Sequence, residues 1–96
     1  QQSMNFKTSN AMKIIPSLIV DDEPKLRKVL ALKLEKYCEN VSVVGHAENI
    51  SEAYEKIITL KPKIVFLDIS MPGGSGFDLL ARFEKIDFEV FIIRII

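Results

Sequence analysis

The sequence predicts an α/β domain built on a parallel sheet, and three observations carry that expectation. Apolar, β-branched runs alternate with amphipathic stretches of helical length from Lys13 onward. One run, Ile64 to Leu67, is apolar without interruption, as in a strand covered on both faces. Two runs end in aspartate, Leu18-Ile19-Val20-Asp21-Asp22-Glu23-Pro24 and Ile64-Val65-Phe66-Leu67-Asp68-Ile69-Ser70-Met71-Pro72. Right-handed crossovers deliver the carboxyl ends of parallel strands to one edge, where ligands of such sheets bind.

The first strand spans Ile14 to Val20, with Pro16 near its start, where a missing N–H is tolerated. Pro24 opens a first helix, because proline fits the first turn. Leu26, Val29, Leu30, Leu34, Tyr37 and Cys38 recur at helical spacing and give that helix its apolar face, and Glu39 and Asn40 end it. Val41 to Ala47 is short and β-branched, which makes a second strand. Asn49, with Glu52 three residues on, has the spacing of a capping box. Ala53, Tyr54, Ile57 and Ile58 supply the second helix's apolar side, and Pro62 stops it. The third strand is Ile64 to Leu67, and the loop Met71-Pro72-Gly73-Gly74-Ser75-Gly76 comes after it. Phe77, Leu79, Leu80 and Phe83 give a third helix, and Val90 to Ile96 a fourth strand. The order is β-α-β-α-β-α-β.

Ninety-six residues make one small domain. Thirteen Lys plus Arg against thirteen Asp plus Glu leave no net charge to attract nucleic acid or an anionic membrane. The single cysteine, Cys38, forms no intramolecular disulfide, which fits a reducing cytoplasm, and its helical spacing makes it a packing residue. No apolar run approaches the roughly 20 residues of a membrane span. A cytoplasmic protein without a membrane partner is expected. Residues 1–11 are polar and aperiodic, and Ser9-Asn10-Ala11 before Met12 looks like a tag remnant, so the domain is expected over 12–96.

The chemistry concentrates in Asp21, Asp22 and Asp68. Brought together, three carboxylates repel, and their proton affinity rises unless a hard cation such as Mg²⁺ is bound by their oxygens. A carboxylate held there can also attack phosphorus. Asp68 is the better nucleophile, alone at its strand end before a glycine-rich loop, whereas Asp21 and Asp22 form a pair suited to a cation. His46 has no Cys or second His nearby and is expected at the surface. Gly73-Gly74-Ser75-Gly76 lacks the Lys-Ser/Thr ending of a phosphate loop, so turn geometry accounts for it. Tyr37 and Tyr54 are expected to pack on helix faces.

Taken together, Val20-Asp21-Asp22-Glu23-Pro24 and Leu67-Asp68-Ile69-Ser70-Met71-Pro72, with Gly76 eight residues after Asp68, resemble the receiver domain of two-component response regulators. Within that group the chain looks like those carrying a LytTR-type DNA-binding output. The resemblance runs from about Lys13 to Val90. It implies a flavodoxin-like doubly wound sheet, order 2-1-3-4 for the strands present, and a phosphoacceptor rather than an enzyme. It implies that Asp68 takes a phosphoryl group from a sensor histidine kinase. Mg²⁺ would be held by Asp21, Asp22, Asp68 and the Ser70 backbone carbonyl, with Pro72 and Gly76 shaping the loop. DNA would be reached only through a domain outside these residues.

The pattern departs from the family at its end. The hydroxyl residue expected at the close of the fourth strand falls at about Arg94, and the fifth strand with its lysine and the last two helices is missing. A truncated receiver is therefore expected, with the fourth strand as an edge through which copies of the chain associate. Two rivals stay open. A degenerate receiver would act only as an interaction module. A haloacid-dehalogenase-type phosphotransferase would need a second acid at position 70, where Ser70 stands.

Overall fold

A computed structural model describes residues 13–94. The first strand, β1 (Ile15–Val20), leads into α1 (Pro24–Tyr37), then β2 (Val41–Ala47), α2 (Ile50–Leu60) and β3 (Ile64–Asp68). A short hairpin, β4 (Ser70–Met71) and β5 (Gly74–Ser75), precedes α3 (Gly76–Leu80) and β6 (Glu89–Arg94). The four long strands form one parallel sheet in the order β2-β1-β3-β6, so the expected 2-1-3-4 arrangement is the observed one.

Local chemistry sets the boundaries. Pro24 occupies the first helical turn of α1 after Glu23, and the Cys38 N–H donating to the Leu34 carbonyl (2.8 Å) closes its other end. At α2 the Asn49 side chain accepts from the Glu52 N–H (2.8 Å), while the Glu52 carboxylate accepts from the Glu48 N–H (2.9 Å). The reciprocal arm thus lands one residue before the cap. Lys61 ends α2 in a left-handed conformation, φ 50°, its N–H donating to the Ile57 carbonyl, and Pro62 prevents continuation. Beside β1, the register steps from Ser17 opposite Val43 to Leu18 opposite Gly45, leaving Val44 unpaired as a bulge.

Alternation along the strands sorts the core into two layers. Leu18 and Val20 of β1 and Val65 and Leu67 of β3 face α2 and α3, where Ala47, Ile50, Ala53, Ile57, Met71 and Leu79 complete a buried cluster. Each such Leu or Ile contributes about 1.5–3 kcal/mol relative to an exposed one. The intervening residues Ile19 and Phe66 face α1 and make a smaller cluster with Leu34. Cys38 packs at its margin, as its spacing suggested.

Several sequence expectations need correction here. Tyr37 is 71% exposed, and Leu26 and Val29 are also exposed, because α1 turns Leu30, Ala31 and Leu34 toward the sheet. Periodicity alone gave too wide a face. The third helix is five residues long and ends at Leu80. Its Leu79 is fully buried while Phe77 is exposed, and Phe83 lies beyond the helix between Tyr54 (5.1 Å between ring centroids) and Phe88 (5.5 Å). Tyr54 does pack, on that aromatic cluster. The expected tag remnant over 1–11 and the last two residues of the expected fourth strand, Ile95 and Ile96, lie outside the described residues.

Candidate metal centre

Strand pairing brings the two acidic endings together. Val20 stands opposite Leu67 in the β1–β3 register, so the next residue on each strand is Asp21 and Asp68. Both are buried, at 2% and 0% exposure, and Asp22 is half-buried beside them. One carboxylate oxygen from each of the three lies within 4.8 Å of the others. The three carboxylates expected to share one site are therefore close together.

Each strand end is fixed by the same local device. Asp21 Oδ1 accepts from the Glu23 N–H, and Asp68 Oδ1 accepts from the Ser70 N–H, both at 2.9 Å. An aspartate that bonds the backbone two residues ahead turns the chain sharply and holds its own rotamer. Asp21 is further tied through its backbone, donating to the Ala47 carbonyl (3.0 Å) and accepting from Arg27 Nη1 (2.6 Å). Arg27 escaped the sequence reading. Its position in the first turn and a half after Pro24 was the available signal.

The loop after Asp68 is a short hairpin, and the turn geometry expected of its glycines is found at its tip. Pro72 followed by Gly73 at φ +86° is the pairing a type II turn requires. Gly76 then passes so close to the strand that a Cβ there would sit 2.9 Å from Leu67 Cγ and 3.0 Å from the Asp68 carbonyl oxygen. Its N–H donates to the Ile69 carbonyl (2.8 Å), and Asp78 accepts from the Ser75 N–H (2.8 Å) to start α3. The loop-shaping residues expected at 72 and 76 thus have physical tasks. Ser70 opens β4 opposite Ser75.

An all-oxygen donor set suits a hard divalent cation. Oxygens on opposite sides of one Mg²⁺ stand about 4.2 Å apart, comparable to the 4.8 Å within which these three oxygens lie. A cation held there would offset the mutual repulsion of the carboxylates.

His46 differs from the expectation of a surface position. It is half-buried at the end of β2, its carbonyl accepts from Lys56 Nζ (2.5 Å), and Nδ1 is buried with no hydrogen-bond partner among the described residues. Burial, then the charges of Arg27 and Lys56, hold its pKa below the ordinary histidine value. Lys56 also pairs with Glu52 at 3.2 Å. Among the described residues, no helix is long and apolar enough to cross a membrane.

Comparison with known proteins places this geometry. Residues 17–95 match the family model described as the response regulator receiver domain. The sensory transduction protein LytT of Bacillus subtilis is 38% identical over 68 residues, covering 71% of this chain and 28% of that protein. The response regulator TrrA of Thermotoga maritima, solved with Mg²⁺ and BeF, superposes with a TM-score of 0.64 at 36% identity, covering 72% of this chain and 57% of that one. In a complex with the histidine kinase ThkA, TrrA gives 0.68 at 35% identity, covering 80% and 66%. The chain thus spans less than a third of the length of LytT.

Proposed function

The chain belongs to the response regulator receiver-domain family, and on that footing we propose that Asp68 is a phosphoacceptor served by a sensor histidine kinase. The observation that carries this reading is the buried Asp68 within 4.8 Å of two further carboxylates, beside a loop kept close by Gly76. A carboxylate oxygen of Asp68 attacks the phosphorus of a phosphohistidine. The new P–O bond forms as the P–N bond breaks, and the imidazole leaves with the electron pair.

Asp21, Asp22, Asp68 and the Ser70 backbone carbonyl hold Mg²⁺ in this reading. Bound there, the ion screens the charge of the phosphoryl oxygens. The Ser70 N–H on Asp68 Oδ1 orients the carboxylate, and the Arg27 guanidinium on the Asp21 carbonyl fixes the end of β1. The kinase partner is supported by the TrrA–ThkA complex, and the metal by the Mg²⁺-bound TrrA structure. A cytoplasmic role in transcription control through a DNA-binding output belongs to the same proposal, and the likeness to the transcriptional regulatory protein BtsR of Salmonella typhi, 37% identical over 71 residues, supports the transcriptional part.

Intact-mass spectrometry after incubation with Mg²⁺ and acetyl phosphate tests the reading. One phosphoryl addition is expected, absent from Asp68→Asn. An unmodified wild-type mass would favour a receiver that works only as an interaction module.

Association between copies rests on a separate observation. Among the described residues β6 pairs only with β3, and its Phe91 and Ile92 are 52% and 43% exposed. A second copy adding along that edge would satisfy its backbone groups. Light scattering is expected to give a dimer or larger; a monodisperse monomer would refute it.

A further inference from the structure

At the end of the sheet opposite the three aspartates, a hollow of about 590 Å³ opens between the C-terminus of α2 and the irregular stretch 83–88. Its floor is apolar. Ile57 and Pro62 are buried there, and the Phe83 and Phe88 rings meet edge to face with centroids 5.5 Å apart. Ile58, 48% exposed, leaves part of the apolar wall open to solvent.

The rim is basic. Lys61, Lys63 and Lys85 are exposed around it, against the single carboxylate of Asp87 among the lining residues. Among the described residues, none of the three lysines makes an ion pair. The whole chain carries no net charge, so this excess of two positive charges is local. The carbonyls that end α2 attract a cation and account for Lys61 in part, although it takes a left-handed conformation that glycine adopts without strain. Lys63 and Lys85 lie beyond that last turn.

We propose that this hollow docks an acidic segment of a partner protein, which seats one apolar side chain against Phe83 and Phe88 and sets its carboxylates against the three lysines. An apolar centre inside a polar rim is the anatomy of a protein interface, and unpaired ammonium groups select an anionic occupant over a basic one. Asp68 lies five residues along β3 from Lys63, about 17 Å at roughly 3.3 Å per residue. An occupant of the hollow therefore leaves the acidic end open. The proposal stands apart from the phosphoacceptor reading.

The chain has no tryptophan, so a tryptophan in a probe peptide reports binding without background. Titrating the full chain into acetylated Glu-Glu-Leu-Trp-Glu-Glu at low salt should give a saturable blue shift that weakens as salt is added. The same peptide with lysine in place of glutamate should not bind. Lys63→Glu and Lys85→Glu should each weaken binding by roughly tenfold, and Ile58→Ser by roughly threefold. Lys36→Glu, the same change of charge on α1 across the sheet, should leave it intact. All four positions are exposed, so the variants keep the fold. Equal loss in Lys36→Glu, or none in Lys63→Glu and Lys85→Glu, would overturn the proposal. So would displacement of the peptide by equimolar dodecanoate, which would assign the hollow to a small anionic amphiphile. Conversion of a larger assembly to monomers by Ile58→Ser in light scattering would overturn it in favour of a second copy.

Discussion

The ends of β1 and β3 begin alike and then diverge. At each, a buried aspartate accepts from the backbone N–H two residues on, at the same 2.9 Å. After Asp21 the chain passes Asp22 and Glu23 and enters a 14-residue helix at Pro24, whose Arg27 grips the strand end from outside. After Asp68 it folds into a two-stranded hairpin and returns through Gly76 almost against the Asp68 carbonyl. One ending is a rigid strand-to-helix corner that presents two carboxylates. The other is a glycine-rich loop that presents one. Under the proposed function the first ending supplies two metal ligands, and the second supplies Asp68 as both a metal ligand and the acceptor.

The sharpest way to break this contrast is to exchange the chemistry of the two ends. Asp68→Asn should abolish covalent labelling by acetyl phosphate, whereas Asp22→Asn should leave an acceptor but weaken Mg²⁺ binding by about tenfold or more, ~1.4 kcal/mol. Calorimetry and intact mass measured on both variants check the pair. Equal loss of labelling at matched metal occupancy would erase the distinction.

The loop side is tested by adding one methyl group. Gly76→Ala forces a Cβ onto Leu67 and the Asp68 carbonyl, with an expected cost of about 1–3 kcal/mol in urea denaturation and slower labelling. Gly73→Ala meets no atom within 4 Å and suffers only its φ of +86°, so about 1 kcal/mol is expected, with labelling intact. Similar labelling defects in both variants would deny Gly76 its place beside the acceptor.

The smallest expected effect lies on the corner side, where Arg27 also influences His46. The His46 pKa is lowered in the folded chain, first by burial, then by Arg27 and Lys56. The unfolded chain therefore takes up the proton first on acidification. This contribution to stability is full above the ordinary value of 6.5, is lost as pH falls toward the folded pKa, and then levels off. Glu35 and Lys28 of α1 line the same hollow. His46→Gln should flatten the thermal-melt profile between pH 7 and 5. An unchanged slope would assign the pH dependence elsewhere.

The strands were legible because uninterrupted apolar runs, helical spacing and strand-end aspartates all require the same parallel sheet, and their order was implied by the resemblance to receiver domains. The clustering of Asp21, Asp22 and Asp68 was legible because these residues directly follow the apolar runs. What escaped depends on three-dimensional closure. Tyr37 and Phe77 sit at apolar spacing yet face outward, since the sheet accepts only the narrow stripe of α1 around Leu34 and the side of α3 bearing Leu79. The hairpin at Ser70–Ser75 is too short to leave a periodic pattern, and Arg27 reaches the site through a backbone carbonyl, which no side-chain motif records.

The central proposal is that, of the three clustered aspartates, Asp68 alone accepts the phosphoryl group. Treating the Mg²⁺- and acetyl phosphate-reacted chain with borohydride reduces an aspartyl phosphate to homoserine, and peptide sequencing by mass spectrometry locates it. The account predicts homoserine at position 68 alone; homoserine at 21 or 22 would contradict it.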